Sequence, residues 1–253
     1  MTEMNGKVAI VTGAARGLGR AYAIHLAKHG AQVVAGDVSD CSDTVAEIED
    51  NGGEALGIHL DIAETASCEA MAKATLQRFG RIDALVNNAA LYAGLSAAPA
   101  NKIDEDEWQQ VMNVNVTGLW RCAKVVIDPM KEVGGGSIVN IASLAALHGI
   151  PNSAHYATSK AAVIGLSRTL ARELGRYWIR VNSIGPSAVM TEGTSEFMGD
   201  RLERAKEAIA AGQSLRRNLE TDDLVGTVLF LASDASKFIS GQTIMVDGGT
   251  HFL

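Results

Sequence analysis

Cysteine is scarce in this chain, positive charge is in deficit, and no apolar run approaches the length of a membrane span. The three cysteines, Cys41, Cys68 and Cys122, are odd in number, widely separated and in no metal or redox spacing, so they are read as reduced thiols. His25 and His29 share a helical face but have no third ligand, and the pair is read as a solvated face, with no metal expected. The 22 basic residues against 29 acidic ones leave a net charge of −7 with no basic cluster, which argues against a nucleic-acid partner. With neither a spanning segment nor a signal-peptide pattern, a soluble, cytoplasmic chain with no membrane partner is expected. No repeat, long linker or low-complexity tract divides the 253 residues, so a single domain over 1–253 is expected, and 47% hydrophobic content is ample for its core.

What is present is alternation. Strand-like apolar runs stand near Val8–Val11, Gln32–Gly36, Ala55–Leu60, Ala84–Val86, Ser137–Ile141, Arg180–Ile184 and Thr243–Val246, with helical segments between them. That pattern predicts right-handed βαβ units: an α/β Rossmann-type doubly wound parallel sheet of about seven strands, with helices on both faces. Ligands of such sheets bind beyond the carboxyl ends of the strands.

The first strand runs into Gly13-Ala14-Ala15-Arg16-Gly17-Leu18-Gly19 and then into a helical pattern. Strand, glycine turn and helix in that order form a phosphate site, because glycines admit a ligand close to the backbone and a helix N-terminus presents free N–H groups. The second strand ends at Asp37, where a carboxylate can accept hydrogen bonds from ribose hydroxyls and repel a 2′-phosphate, favouring NAD over NADP. Arg16 points the other way, since a cation near the turn could help to hold that phosphate, but Val38 offers no second cation. Asp37 could also simply cap the turn that follows it.

Ala154–Ala162 contains neither Gly nor Pro and places Tyr156 and Lys160 at i, i+4, on one helical face. A phenol with an ordinary pKa of ~10 beside an ammonium group is drawn toward phenolate, and so toward general acid–base work.

With these pieces in order, the chain resembles the short-chain dehydrogenase/reductase family from about Lys7 to its C-terminus. Thr12-Gly13-x-x-x-Gly17-x-Gly19 matches the family's cofactor turn, Asp61-Ile62 the pair that contacts adenine, and Asn87-Asn88-Ala89-Ala90 the segment that steadies the sheet and lines the cofactor. Asn115, Ser143, Tyr156 and Lys160 match the four catalytic positions, and Asp247-Gly248-Gly249 resembles the C-terminal signature. The resemblance implies that Ser143 positions the substrate oxygen and that Tyr156 exchanges its proton. It implies that Lys160 holds the nicotinamide ribose and lowers the Tyr pKa, and that Asn115 holds a water leading to solvent. Val189 and Thr191 keep the positions of contacts to the nicotinamide carboxamide. Ser187, where the family usually has Gly, puts the local turn in doubt, and Ala90 replaces another usual Gly.

The substrate loops that the resemblance implies contain Leu91, Tyr92, Leu95, Leu144, Ala145, Leu147, His148, Ile150, Met190, Phe197 and Met198, with no Arg or Lys from Leu144 to Tyr156 or from Ser187 to Gly199. An uncharged secondary alcohol or ketone on a hydrophobic, medium-sized skeleton is expected. Residues 191–215, with a helical run at Arg201–Ala211, are expected to form a substrate lid. Alternative readings are a 3-oxoacyl-(acyl carrier protein) reductase using NADPH, with Arg168 and Arg172 as a basic helix face, and a non-catalytic NAD(H)-binding regulator. Resemblance also implies a homotetramer, and the run Ala161–Ala171 offers a surface for close packing.

Overall fold

The computed structural model describes residues 3–199 and 202–252, the side chain of Phe197 excepted; Arg201 and that side chain therefore lie outside the described residues. β1 (Val8–Thr12), β2 (Gln32–Asp37), β3 (Glu54–His59), β4 (Ala84–Asn87), β5 (Gly136–Ile141), β6 (Ile179–Pro186) and β7 (Thr243–Val246) form one sheet in the order β3-β2-β1-β4-β5-β6-β7. Every pairing is parallel. β1 and β4 are buried at every position because the sheet is covered on both faces, whereas β3 at the edge is largely open.

α1 (Gly17–Lys28), α2 (Ser42–Asp50) and α10 (Asp222–Ala232) cover one face of the sheet. There Tyr22, Ala23 and Leu26 of α1 join Leu224, Val228 and Leu231 of α10 over Val11 and Val33. α3 (Thr65–Phe79), α5 (Leu119–Glu132) and α7 (Ala154–Leu174) cover the other face, where Met71, Leu119, Val126 and Val163 pack over Ile10, Leu85 and Ile138. Between α4 (Glu105–Met112) and α5 the helix widens to a π turn over Asn113–Gly118. The short α6 (Ala145–His148) follows β5, and α8 (Glu192–Met198) and α9 (Leu202–Gly212) follow β6. No helix among the described residues is long and apolar enough to cross a membrane.

The strand order reverses between β1 and β4, which opens a crevice at their carboxyl ends. Its floor is tied together by buried polar groups. Asn88 donates from Nδ2 to the carbonyls of Thr12 (3.0 Å) and Gly13 (3.2 Å), and Thr12 Oγ1 accepts from the N–H groups of Asn88 and Ala89, each at 3.0 Å. Deeper in the sheet, Asn87 donates to Asn140 Oδ1 and Asn140 donates to Ser167 Oγ, both at 2.9 Å, which locks β4 and β5 to α7.

Candidate active site

The glycine turn is built to leave space. Gly13 has a φ of +69° and lies so close to the β4 end that a Cβ there would stand 2.9 Å from Ala89 Cα. Gly17 also has positive φ, at +56°, but a Cβ on it would meet nothing within 4 Å, so this side of the turn faces open space. α1 starts at Gly17 with no side-chain cap and no acidic residue in its first turn, leaving its first N–H groups available to an anion.

A cavity of about 530 Å³ runs from this turn to the ends of β5 and β6. Arg16, Gly17, Leu18, Gly19 and Asn88 line one end; Ser143, Tyr156, Lys160, Val189 and Thr191 line the other. Gly13 and Ala89 lie beneath this wall, and Asp37, Asp61 and Ile62 lie off it, at and just beyond the ends of β2 and β3. Asp37 is half-buried and accepts the N–H groups of Ala15 (3.0 Å) and Ser39 (2.9 Å), so its carboxylate is fixed beside the turn. Asp61 accepts from Ala63 N–H at 2.8 Å, and the Ile62 side chain is in the core, where it packs under Gly118. The glycine turn, the uncapped helix and Asp37 fit a dinucleotide.

At the other end the Tyr156 hydroxyl shares a hydrogen bond with Ser143, and Ser143 Oγ accepts from Ala145 N–H at 3.1 Å. Lys160 Nζ donates to the Ile141 carbonyl at 2.8 Å and stands 5.8 Å from the centroid of the Tyr156 ring. Both groups are buried. Burial pushes the Tyr156 phenol above its ordinary range, Tyr92 adds to that, and the Ser143 hydrogen bond opposes it. Burial also lowers the Lys160 ammonium to about 8. Burial thus opposes the pull toward phenolate that the neighbouring ammonium exerts on Tyr156.

Asn115 lies in the π turn, buried, with Oδ1 accepting from Leu91 N–H at 2.7 Å and Nδ2 donating to the Leu91 carbonyl at 3.0 Å and to Ser159 Oγ at 3.2 Å. It fastens the loop after β4 to α7. Of the substrate-loop residues, Tyr92, Leu144, Ala145, His148, Ile150 and Met198 line the cavity, while Leu91, Leu95, Leu147 and Met190 do not. Ile209 of α9 lines it as well.

Four features were not visible in the sequence. The Tyr92 ring lies on that of Tyr156, with centroids 5.1 Å apart. Arg16 makes a two-pronged bond to Glu196 of α8 (2.8 and 3.3 Å) with Glu192 at 3.8 Å, across the cavity mouth. Ser187 has no positive φ; its N–H donates to the Val246 carbonyl at 3.1 Å, and its Oγ accepts from the buried Gln213 amide at 3.0 Å. The turn therefore holds with a side chain present. The fourth, His155, is buried directly before Tyr156.

The fold and this cleft define a nicotinamide-dependent oxidoreductase, and comparison with known proteins narrows the class. A family model described as enoyl-(acyl carrier protein) reductase matches residues 13–251. The chain is 38% identical over 253 residues to a 3-oxoacyl-[acyl-carrier-protein] reductase of Synechocystis, covering 98% of each. It is 41% identical over 251 residues to a trans-4-hydroxycyclohexanecarboxylate dehydrogenase of Sinomonas cyclohexanicum, covering 96% of this chain and 92% of that one. A solved carveol dehydrogenase from Mycobacterium avium in complex with NAD superposes with a TM-score of 0.92 at 30% identity, covering 98% of each chain. The chain belongs to the short-chain dehydrogenase/reductase family.

Proposed function

We propose that this protein is an NAD-dependent oxidoreductase that interconverts a secondary alcohol and a ketone on a hydrophobic, medium-sized, uncharged substrate, with Tyr156 as general acid and base. The observation that carries the reading is one cavity joining an uncapped helix N-terminus to the Ser143–Tyr156–Lys160 cluster. The cofactor, when bound, supplies or accepts the hydride. Gly13, Gly17, Leu18 and Gly19 at the head of α1 hold its pyrophosphate; Asp61 and Ile62 meet the adenine, the latter through its backbone. Asn88, Ala89, Val189 and Thr191 set the nicotinamide end.

For reduction, Ser143 Oγ orients the substrate oxygen and the protonated Tyr156 gives it a proton; for oxidation the Tyr156 phenolate takes the proton from the alcohol. Lys160 holds the ribose and stabilises the phenolate left behind. Asn115, held by Leu91 and Ser159, would hold the water that connects Lys160 to solvent.

NAD is favoured over NADP because Asp37 repels a 2′-phosphate and Arg16, the nearby cation, is committed to Glu196 and Glu192. The mainly apolar cavity wall favours an uncharged skeleton; the relative from Sinomonas is named for an alicyclic alcohol that also carries a carboxylate, so it supports the ring and the secondary alcohol but not the absence of charge. The chain acts as one unit over residues 1–253 with 191–215 as its lid, in a cytoplasmic homotetramer. Assaying alicyclic secondary alcohols and ketones with NADH and NADPH tests the reading; turnover confined to carboxylated or phosphorylated substrates would refute it.

A second reading, 3-oxoacyl-(acyl carrier protein) reductase with NADPH, is favoured by the relative from Synechocystis and by exposed Arg168 and Arg172 on α7. A clear preference for NADPH and an acyl-carrier substrate would establish it instead.

A further inference from the structure

The start of α7 lacks the cap that its sequence offers. Ser153 occupies the N-cap position but makes no side-chain hydrogen bond to the first turn. The N–H of Tyr156 is accepted instead by Nδ1 of His155, at 2.9 Å. That N–H is one of the helix's orphan donors, so the histidine next to the reactive phenol does the capping.

An Nδ1 that accepts places the proton of the neutral ring on Nε2. This Nε2 is buried with no hydrogen-bond partner, and the group it faces is Glu107 Oε2 of α4, 3.7 Å away. A buried donor left without an acceptor is costly, and closure by roughly 0.7 Å brings the two within hydrogen-bond range. The other oxygen of Glu107 accepts from Ser96 N–H at 2.8 Å, in the loop after β4. The same loop contains Tyr92, whose ring lies on that of Tyr156, and its Ala98 N–H donates to the Asn152 carbonyl at 3.0 Å, just before α7.

We infer that Glu107 and His155 are a positioning pair: the partly buried carboxylate joins the Tyr92 loop to the buried imidazole, and the imidazole sets the backbone of Tyr156, so that both sides of the phenol are held through one contact. The inference rests on the assignment of Tyr156 as the acid–base group. Neither residue touches the reacting atoms.

The test pairs two variants with a measurement on the unmodified protein. His155→Asn keeps an acceptor close to the Nδ1 position, whereas His155→Gln moves its amide toward the Nε2 position and leaves the Tyr156 N–H unpaired. His155→Gln is expected to lower kcat about tenfold or more with little change in NADH affinity, and His155→Asn to stay within about threefold of wild type. Glu107→Ala is expected to raise the substrate KM more than it lowers kcat. Equal kcat in the two histidine variants would overturn the assignment. Should both fail to fold, or should no alcohol be turned over, nitrogen-15 NMR of histidine-labelled wild type decides the matter without turnover. A proton on Nε2 and a bare Nδ1 at pH 7 supports the pair; a proton on Nδ1 contradicts it.

Discussion

The ammonium of Lys160 donates to the carbonyl of Ile141 at 2.8 Å while lying 5.8 Å from the centroid of the Tyr156 ring. A cation is thereby held in the buried part of the cleft, where burial lowers its pKa to about 8. The folded chain holds this proton less tightly than the unfolded chain does. The burial penalty is therefore complete below about pH 8 and is relieved as pH rises toward 10.5.

Lys160→Met removes that penalty and loses the bond to Ile141. A net stabilisation of about 1–2 kcal/mol at pH 7 is predicted, shrinking toward pH 10, together with loss of turnover. Thermal unfolding at the two pH values checks it; a lower Tm at pH 7 would contradict it.

Asp37 is fixed by two backbone N–H groups at the end of β2. Asp37→Ser is predicted to narrow the preference for NADH over NADPH by about 1–2 kcal/mol, read as the ratio of kcat/KM for the two cofactors. An unchanged ratio would remove Asp37 from cofactor selection.

Ser187 and Gln213 share a buried hydrogen bond that ties the end of α9 to the end of β6. Ser187→Gly leaves the Gln213 amide unpaired, and a loss of about 1–2 kcal/mol is predicted, with a raised substrate KM. Denaturant unfolding and steady-state kinetics on the same preparation check both halves.

Arg16 bridges the glycine turn and α8 through Glu196 and Glu192, all of them exposed, so global stability gains little from the contact. Its effect is local. Arg16→Ala is predicted to leave Tm within a degree or so while speeding proteolytic cleavage within 191–215 severalfold. Equal cleavage of variant and wild type would show that the bridge does not hold the lid.

The seven strands were readable because each is a short β-branched or apolar run with helical periodicity on either side. β6 alone runs visibly further than expected, to Pro186, since its last residues pair with β7. The glycine turn and the Tyr156–Lys160 spacing were readable because their chemistry is local in sequence. The helix expected at Arg201–Ala211 is found at Leu202–Gly212 among the described residues. What the sequence hid depends on contacts between distant segments. Nothing around Asn115 announces a π turn, and the commitment of Arg16 to Glu196 joins residues far apart in the chain. The burial that opposes ionisation of Tyr156 is hidden for the same reason: a spacing reveals the neighbouring cation, but only packing reveals how much water has been removed.

The central claim is that the phenolic oxygen of Tyr156 moves the proton. Its most direct measurement is single-turnover reduction of a ketone by Tyr156→Phe, beside NADH binding followed by fluorescence. Binding close to wild type with the chemical step slowed by about 10²–10⁴-fold is predicted. A chemical step that proceeds at the wild-type rate without the hydroxyl would contradict it.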